Sequence, residues 1–237
     1  MKTVLITGAG GGIGKAIAEK FAKENYFPIL HYHQSQETEI LAKNLNGIAV
    51  QADLSEISEI ETMIKQVLKE VSHIDVLVNN AGMSISGLLT DISPELRKKL
   101  FAVNVLGTIE CTRLLLPSMI HRKAGVIINI SSMWGQIGAS CEVDYSASKS
   151  AIIGFTKALA QEVAPSHIRV NCIAPGVIQT KMLDCYDEAT LQALAEETPL
   201  QRLGTPKDIA EAVYFLSNEQ ASFITGQILG VNGGFII

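Results

Sequence analysis

Seven short apolar runs punctuate the chain: Thr3–Thr7, Phe27–Tyr32, Ile48–Gln51, Val76–Asn79, Val126–Ile130, Arg169–Ile173 and Gln227–Val231. They are nearly continuous instead of alternating, the pattern of strands whose two faces are both covered. Between them, Ile13–Lys23, Ile57–Val71, Leu106–Met119, Ser146–Val163 and Pro206–Leu216 carry apolar residues at helical spacing. Strand and helix in alternation predict right-handed crossovers and an α/β fold: a doubly wound parallel sheet of about seven strands with helices on both faces. No Pro/Gly/Ser-rich linker, charge block or repeat divides residues 1–237, so a single domain is expected. The least regular stretch, residues 176–199, follows the carboxyl end of a strand, where open parallel sheets bind ligands. It reads as a lid over a site or as an ordinary surface excursion.

Composition narrows the functional classes. Hydrophobic residues make up 47% and charged residues 18%, enough for a sizeable core and too apolar for disorder. A formal charge of −5 argues against a nucleic acid or an anionic membrane as partner, since either selects a basic face. The first apolar run, Thr3–Thr7, is too short for a signal peptide or a membrane span, which points to the cytoplasm. Cys111, Cys141, Cys172 and Cys185 show no CxxC or metal-ligand spacing and read as reduced thiols. His31 and His33 alternate on a strand and share a face, but no third ligand lies near them in sequence, so no metal is expected.

The first strand runs into Thr7-Gly8-Ala9-Gly10-Gly11-Gly12-Ile13-Gly14, after which a helix opens. Glycines allow a tight turn and close approach to a pyrophosphate, and the helix N-terminus adds free N–H groups and a positive dipole end. The spacing is TGxxxGxG and not the common GxGxxG. Further on stand Asp53-Leu54, Asn79-Asn80-Ala81-Gly82, Tyr145-Ser146-Ala147-Ser148-Lys149 and Pro175-Gly176, four of these five motifs at strand ends. In this order they resemble the short-chain dehydrogenase/reductase family over essentially the whole chain. The resemblance implies a Rossmann-type nicotinamide-dependent oxidoreductase interconverting a ketone and a secondary alcohol. It implies cofactor contacts from Gly8, Gly10, Gly11, Gly12, Ile13, Gly14, Asp53, Leu54, Asn80, Ala81, Gly82, Tyr145, Lys149, Pro175 and Gly176, with Ile178 and Thr180 meeting the nicotinamide carboxamide.

Tyr145 and Lys149 stand at i and i+4, neighbours on one helix face. Reducing a carbonyl requires a proton at oxygen as hydride reaches carbon, and a phenol of pKa near 10 is a poor donor at neutral pH. A nearby ammonium is expected to lower that pKa, and the family assigns these roles to its Tyr and Lys. Ser132, just beyond the strand ending at Ile130, offers a hydroxyl to the substrate oxygen; Ser131 is its rival, and family spacing favours Ser132. Asn104 lies within the apolar helical run Leu100–Leu116, where Asn disfavours regular helix. It matches the family's fourth catalytic residue, thought to hold a water in a proton relay to the lysine.

The second strand ends in Tyr32-His33-Gln34-Ser35, and the acid that binds a ribose 2′-hydroxyl in NAD-preferring members is missing at about Tyr32. NADP(H) is therefore favoured over NAD(H), with His33, Gln34 and Ser35 able to hydrogen-bond a 2′-phosphate, although the basic residue common in NADP-binding glycine loops is Gly11 here. Phrases such as YSASKSAIIGFTKALAQEVAPSHIRVNCIAPG resemble the 3-oxoacyl-[acyl-carrier-protein] reductases. That subgroup implies an acyl thioester substrate, fatty acid synthesis and docking of an acyl carrier protein. An acidic carrier calls for cations near the site, for which Arg122-Lys123 is the candidate patch. Another alcohol or ketone, or a non-catalytic dinucleotide-binding role, are the alternatives. Met133, Trp134, Met182 and Leu183 are candidate pocket walls. The family also implies a homotetramer, packed through Leu106–Met119 and Ser146–Val163 and through the C-terminal run Gly226–Gly234, where Asn232 replaces a more usual Asp.

Overall fold

Seven strands, Thr3–Ile6 (β1), Phe27–Tyr32 (β2), Ile48–Gln51 (β3), Val76–Asn79 (β4), Gly125–Ile130 (β5), Ile168–Pro175 (β6) and Ile228–Val231 (β7), pair in parallel in the order β3-β2-β1-β4-β5-β6-β7. The computed structural model describes residues 1–184 and 186–236 and leaves the Met182 side chain undescribed. The Cys185 thiol and the pocket role of Met182 therefore lie outside the described residues. Cys111, Cys141 and Cys172 are free thiols.

The continuous apolar runs have a direct cause. In β1, Val4 and Ile6 point into one core layer and Leu5 into the other, so every position must be apolar. The first layer is closed by helices Gly12–Lys23 (α1) and Pro206–Ser217 (α9), through Ile17, Phe21, Ile209 and Val213. Among the described residues, the second is closed by Ile57–Glu70 (α3), Thr108–Arg122 (α5) and Val143–Val163 (α7), through Met63, Val67, Leu115 and Leu159. Because β1 lies between β2 and β4, the strand order reverses there and opens a crevice at the carboxyl ends of β1 and β4.

Three helices escaped the periodicity. Glu37–Asn44 (α2) buries only Thr38 and Ala42, and Pro94–Phe101 (α4) only Leu100, so neither carries a full apolar stripe. α4 is set by Ser93, whose hydroxyl accepts from the Leu96 N–H at 3.2 Å, and by Pro94 in its first turn. The third corrects the view of residues 176–199 as irregular. Glu188–Glu197 is a helix, capped by Asp187 accepting from the Thr190 N–H at 2.8 Å. None of its residues is fully buried, which hides it from an apolar pattern. Trp134–Ile137 forms a further single turn (α6), which makes the helix at Glu188–Glu197 α8.

α4 and α5 are one continuous helix, joined through a π-helical stretch at Ala102–Gly107. By length and composition alone, Pro94–Arg122 would pass as a membrane span, with mean hydropathy 1.3 over its most apolar 18-residue window. Here its inner stripe, Cys111, Leu115 and Met119, packs in the core, and the Glu110–Arg113 ion pair sits along it. Arg122 at its end is tied to Asp75 at 3.2 Å and to the Ile74 carbonyl at 2.7 Å. That is the amino-terminal edge of the sheet, opposite the crevice. The Arg122-Lys123 patch therefore does not flank the site entrance.

The loops at the other edge are stitched together by one buried imidazole. The Gly8 N–H donates to His31 Nδ1 at 3.1 Å, so Nε2 carries the proton and donates to the Ala52 carbonyl at 3.0 Å. Burial pushes the His31 pKa down from 6.5 to about 4. The unfolded chain thus binds a proton that the folded chain refuses, and this contribution, present above pH 6.5, is lost as pH falls towards 4. The gap corresponds to about 3 kcal/mol. Replacing His31 with Asn should therefore shrink the fall in unfolding free energy between pH 7 and pH 4 by about that amount. Urea titrations of both proteins check it; an equal fall in both overturns it.

Candidate active site

The glycine-rich turn after β1 is held by backbone contacts that exclude side chains. Gly8 has φ +66°, and a Cβ there would lie 2.8 Å from the Ala81 Cα. A Cβ on Gly14 would strike the Gly8 carbonyl, and one on Gly12 would meet Thr180. Asn80 fastens this turn to β4, its side-chain amide donating to the Thr7 and Gly8 carbonyls at 2.9 and 3.1 Å. The Thr7 hydroxyl accepts from the N–H groups of Asn80 and Ala81.

Above these loops lies a cavity of about 700 Å³ lined by Gly8, Gly10–Gly12, Ile13, Gly14, His33, Asp53, Leu54, Asn80, Ala81, Gly82 and Thr180. It is continuous, through Ile13, Asn80, Gly82 and Thr180, with a second cavity of about 440 Å³. Ser132, Tyr145, Lys149, Pro175, Gly176 and Ile178 line that second space. Apart from Ser35, every residue expected to contact the cofactor thus faces one of two joined cavities. A glycine cradle, a helix N-terminus and the buried Thr38 hydroxyl, which has no hydrogen-bond partner and faces Gly10, fit a dinucleotide.

In the second cavity the α7 turn sets Tyr145 and Lys149 side by side, the Lys149 Nζ 5.8 Å from the Tyr145 ring centre. Lys149 is buried, and its ammonium donates to the Ile130 carbonyl at 3.0 Å. Burial lowers its pKa to about 8. Burial also pushes the Tyr145 phenol up to about 12, with the Ser132 hydroxyl pulling it the other way. Burial is the largest influence on the phenol here; the depression expected from Lys149 together with the oxidised nicotinamide's positive charge belongs to the cofactor-bound site. The phenol is held as a neutral acid, the form that can donate a proton.

The two serines separate cleanly. Ser131 is buried and donates to the Lys149 carbonyl at 2.8 Å, bracing α7, whereas Ser132 faces Tyr145. Asn104 lines neither cavity. It sits behind Gly82, where its Oδ1 accepts from the Met83 N–H at 2.8 Å and its amide donates to the Met83 carbonyl and the Ser148 hydroxyl. Its side chain clasps the loop after β4 from both sides, and these bonds use one of the two acceptor sites of Oδ1. The π-helical turn around it shows how an Asn is accommodated in an apolar helix.

Met133, Trp134 and Leu183 do line the cavity, joined by Met83, Tyr186 and Leu194. Glu142, also on its wall, went unnoticed in the sequence, although it stands three residues before Tyr145. On the cofactor side, Lys15, Lys99 and Lys181 were likewise missed, since single exposed charges carry no pattern, and Glu37, the first acid after the second strand, also lines the cavity.

The family model described as Enoyl-(Acyl carrier protein) reductase matches residues 8–236. The chain belongs to the short-chain dehydrogenase/reductase family. It is 44% identical over 241 residues to "Uncharacterized oxidoreductase YmfI" of Bacillus subtilis, covering 99% of this chain and 98% of that one. It is 37% identical to the 3-oxoacyl-[acyl-carrier-protein] reductase FabG of Staphylococcus aureus, over 98% of this chain and 97% of that one. The enzyme of the same name from Thermotoga maritima is 35% identical over 100% and 98%. As a member of this family the chain is an oxidoreductase that acts on CH–OH or ketone groups with NAD(P).

In this short-chain reductase fold, Lys149 costs stability. The unfolded chain holds its proton up to about pH 10.5 and the folded chain only to about 8, which disfavours folding by about 3 kcal/mol at pH 7. Orphaning the Ile130 carbonyl costs about 1–3 kcal/mol in return. Replacing Lys149 with Met should leave the unfolding free energy at pH 7 equal to or above that of the parent, with the gap narrowing as pH rises from 8 towards 10. A clear loss of stability in chemical denaturation refutes this.

Proposed function

We propose that the chain is an NADP(H)-dependent reductase of 3-oxoacyl thioesters, working in the cytoplasm in fatty acid synthesis, with Tyr145, Ser132 and Lys149 as its catalytic residues and Asn104 as a positioning residue. The observation that carries this reading is the neutral Tyr145 phenol facing Ser132 in an apolar-walled cavity joined to the glycine cradle. When bound, the nicotinamide supplies the hydride. Ser132 donates to the ketone oxygen and steadies the charge that gathers there. Tyr145 gives that oxygen its proton and completes the alcohol. Lys149 holds the nicotinamide ribose and, once the phenol has given up its proton, stabilises the phenolate.

The substrate class is supported by two 3-oxoacyl-[acyl-carrier-protein] reductases among the relatives and by apolar walls from Met133, Trp134, Leu183, Tyr186 and Leu194, suited to an acyl chain. Residues 176–199 act as the lid, since Leu183, Tyr186 and Leu194 all come from that segment. Lys99 and Lys181, on the cofactor rim, take over from Arg122-Lys123 as the cations an acidic carrier protein would meet. Preference for NADP(H) rests on the missing acid at Tyr32 and on His33 and Gln34 at the cavity rim, where Glu37 is the opposing charge. Tetramer formation accounts for the fully exposed Phe223, for Leu229 on the edge strand β7 and for Leu106 and Ile120 on the outer face of the long helix.

Two measurements test this. Tyr145→Phe should lower kcat/KM for an acetoacetyl thioester by about 10²–10⁴-fold while NADPH still binds; retained turnover removes Tyr145 from the chemistry. Gly11 has φ −83°, and a Cβ there meets only the Gly8 carbonyl at 3.6 Å, so an Arg fits without strain. Gly11→Arg should raise the NADPH-to-NADH ratio of kcat/KM about tenfold above a parent ratio already greater than one. A parent that prefers NADH overturns the cofactor assignment.

A further inference from the structure

Glu142 is a carboxyl group without a structural task. It occupies the N-cap position of α7, yet its side chain makes no capping hydrogen bond. Among the described residues it enters no ion pair. Its one side-chain partner is the Ser86 hydroxyl, at 3.5 Å the outer limit of a hydrogen bond. Even so it is half-buried on the wall of the Tyr145 cavity, and burial raises its pKa. A partly desolvated carboxyl costs free energy unless something pairs with it.

The surroundings say what could pair. Met83, Met133, Trp134, Leu183 and Leu194 make the cavity largely apolar. Its only ammonium, Lys149, is turned to the Ile130 carbonyl. Glu142 is half-buried, so solvent weakens but does not abolish its field on a charge that enters beside it.

We propose that Glu142 sets the charge class of the substrate: it favours ketones that carry a hydrogen-bond donor or an ammonium near the carbonyl and rejects those that carry a carboxylate. An N–H or O–H on the substrate arm gives the carboxyl the partner it lacks. An anion placed beside it is repelled, which is discrimination by a built-in unfavourable contact. The inference rests on the cavity being the ketone site and deepens that reading.

Three ketones of similar size but different charge provide the test: ethyl acetoacetate (neutral), acetoacetate (anionic) and 4-aminobutan-2-one (cationic). Each is assayed with the full chain and NADPH. Glu142→Gln preserves size and a hydrogen-bond acceptor while removing the charge. The ratio of kcat/KM for acetoacetate to that for the ester should rise about tenfold in this variant, and the ratio for the amino ketone should fall about tenfold. Glu142→Asp should keep the parental ratios, which separates charge from packing. Unchanged ratios in Glu142→Gln, or equal shifts in all three substrates, overturn the proposal. If the parent reduces none of the three, the reductase reading fails on its own. The dissociation constants of the same three compounds, measured calorimetrically on parent and Glu142→Gln, then decide the charge preference by the same ratios.

Discussion

The contact between Gly8 and Ala81 is the constraint on which the cleft depends. Backbone meets backbone there so closely that a single methyl on Gly8 would force the β1 and β4 loops apart. Three polar side chains keep the approach closed. Thr7 and Asn80 tie the turn to β4, and His31 ties it to the end of β3. Each such bond adds about 1 kcal/mol, but breaking one strands a buried partner at greater cost. The loops, though distant in sequence, therefore hold or fail together.

Against this rigid floor, burial favours the less charged form of both Tyr145 and Lys149, although at pH 7 the lysine, with a pKa of about 8, keeps its proton. Burial raises the Tyr145 phenol and lowers the Lys149 ammonium, so the same low polarity that destabilises the lysine keeps the proton on the tyrosine. Such an arrangement keeps the proton on the phenol oxygen at neutral pH. It also places stability and chemistry in opposition at one residue, a common feature of sites that must bury a charge to use it. The π-helical turn at Asn104 is a second local departure from regular structure, and its side chain serves the loop that carries Gly82 and Met83.

All seven strands and five of the helices could be read from the chain because continuous apolar runs and wide apolar stripes leave a periodic trace. α2, α4 and α8 bury too little to leave one. The motifs placed every proposed cofactor contact on the cleft, since glycine spacing and strand ends are local properties. Charge balance was less legible. That Tyr145 is raised, that Asn104 faces a backbone and not a cavity, and that Arg122 is spent on Asp75 at the far edge all follow from how distant segments pack. Glu142 was invisible for the same reason: a single acid beside a helix start carries no pattern, and only the folded chain shows that it neither caps the helix nor leaves the cavity wall.

Gly82 joins the two halves of the cleft. A Cβ placed on it would lie 3.2 Å from the Lys149 Nζ and 3.3 Å from Asn104 Oδ1, so the missing side chain is what lets the lysine of one cavity stand beside the loop that floors the other. A methyl there would be tight against both, so the lysine terminus or the Asn104 amide would have to give by a few tenths of an ångström. The glycine of NNAG is thus bound less to a turn than to this convergence, since its φ needs no left-handed freedom. The glycine-lined cavity and the Tyr145 cavity are consequently one cleft with a glycine at its midpoint.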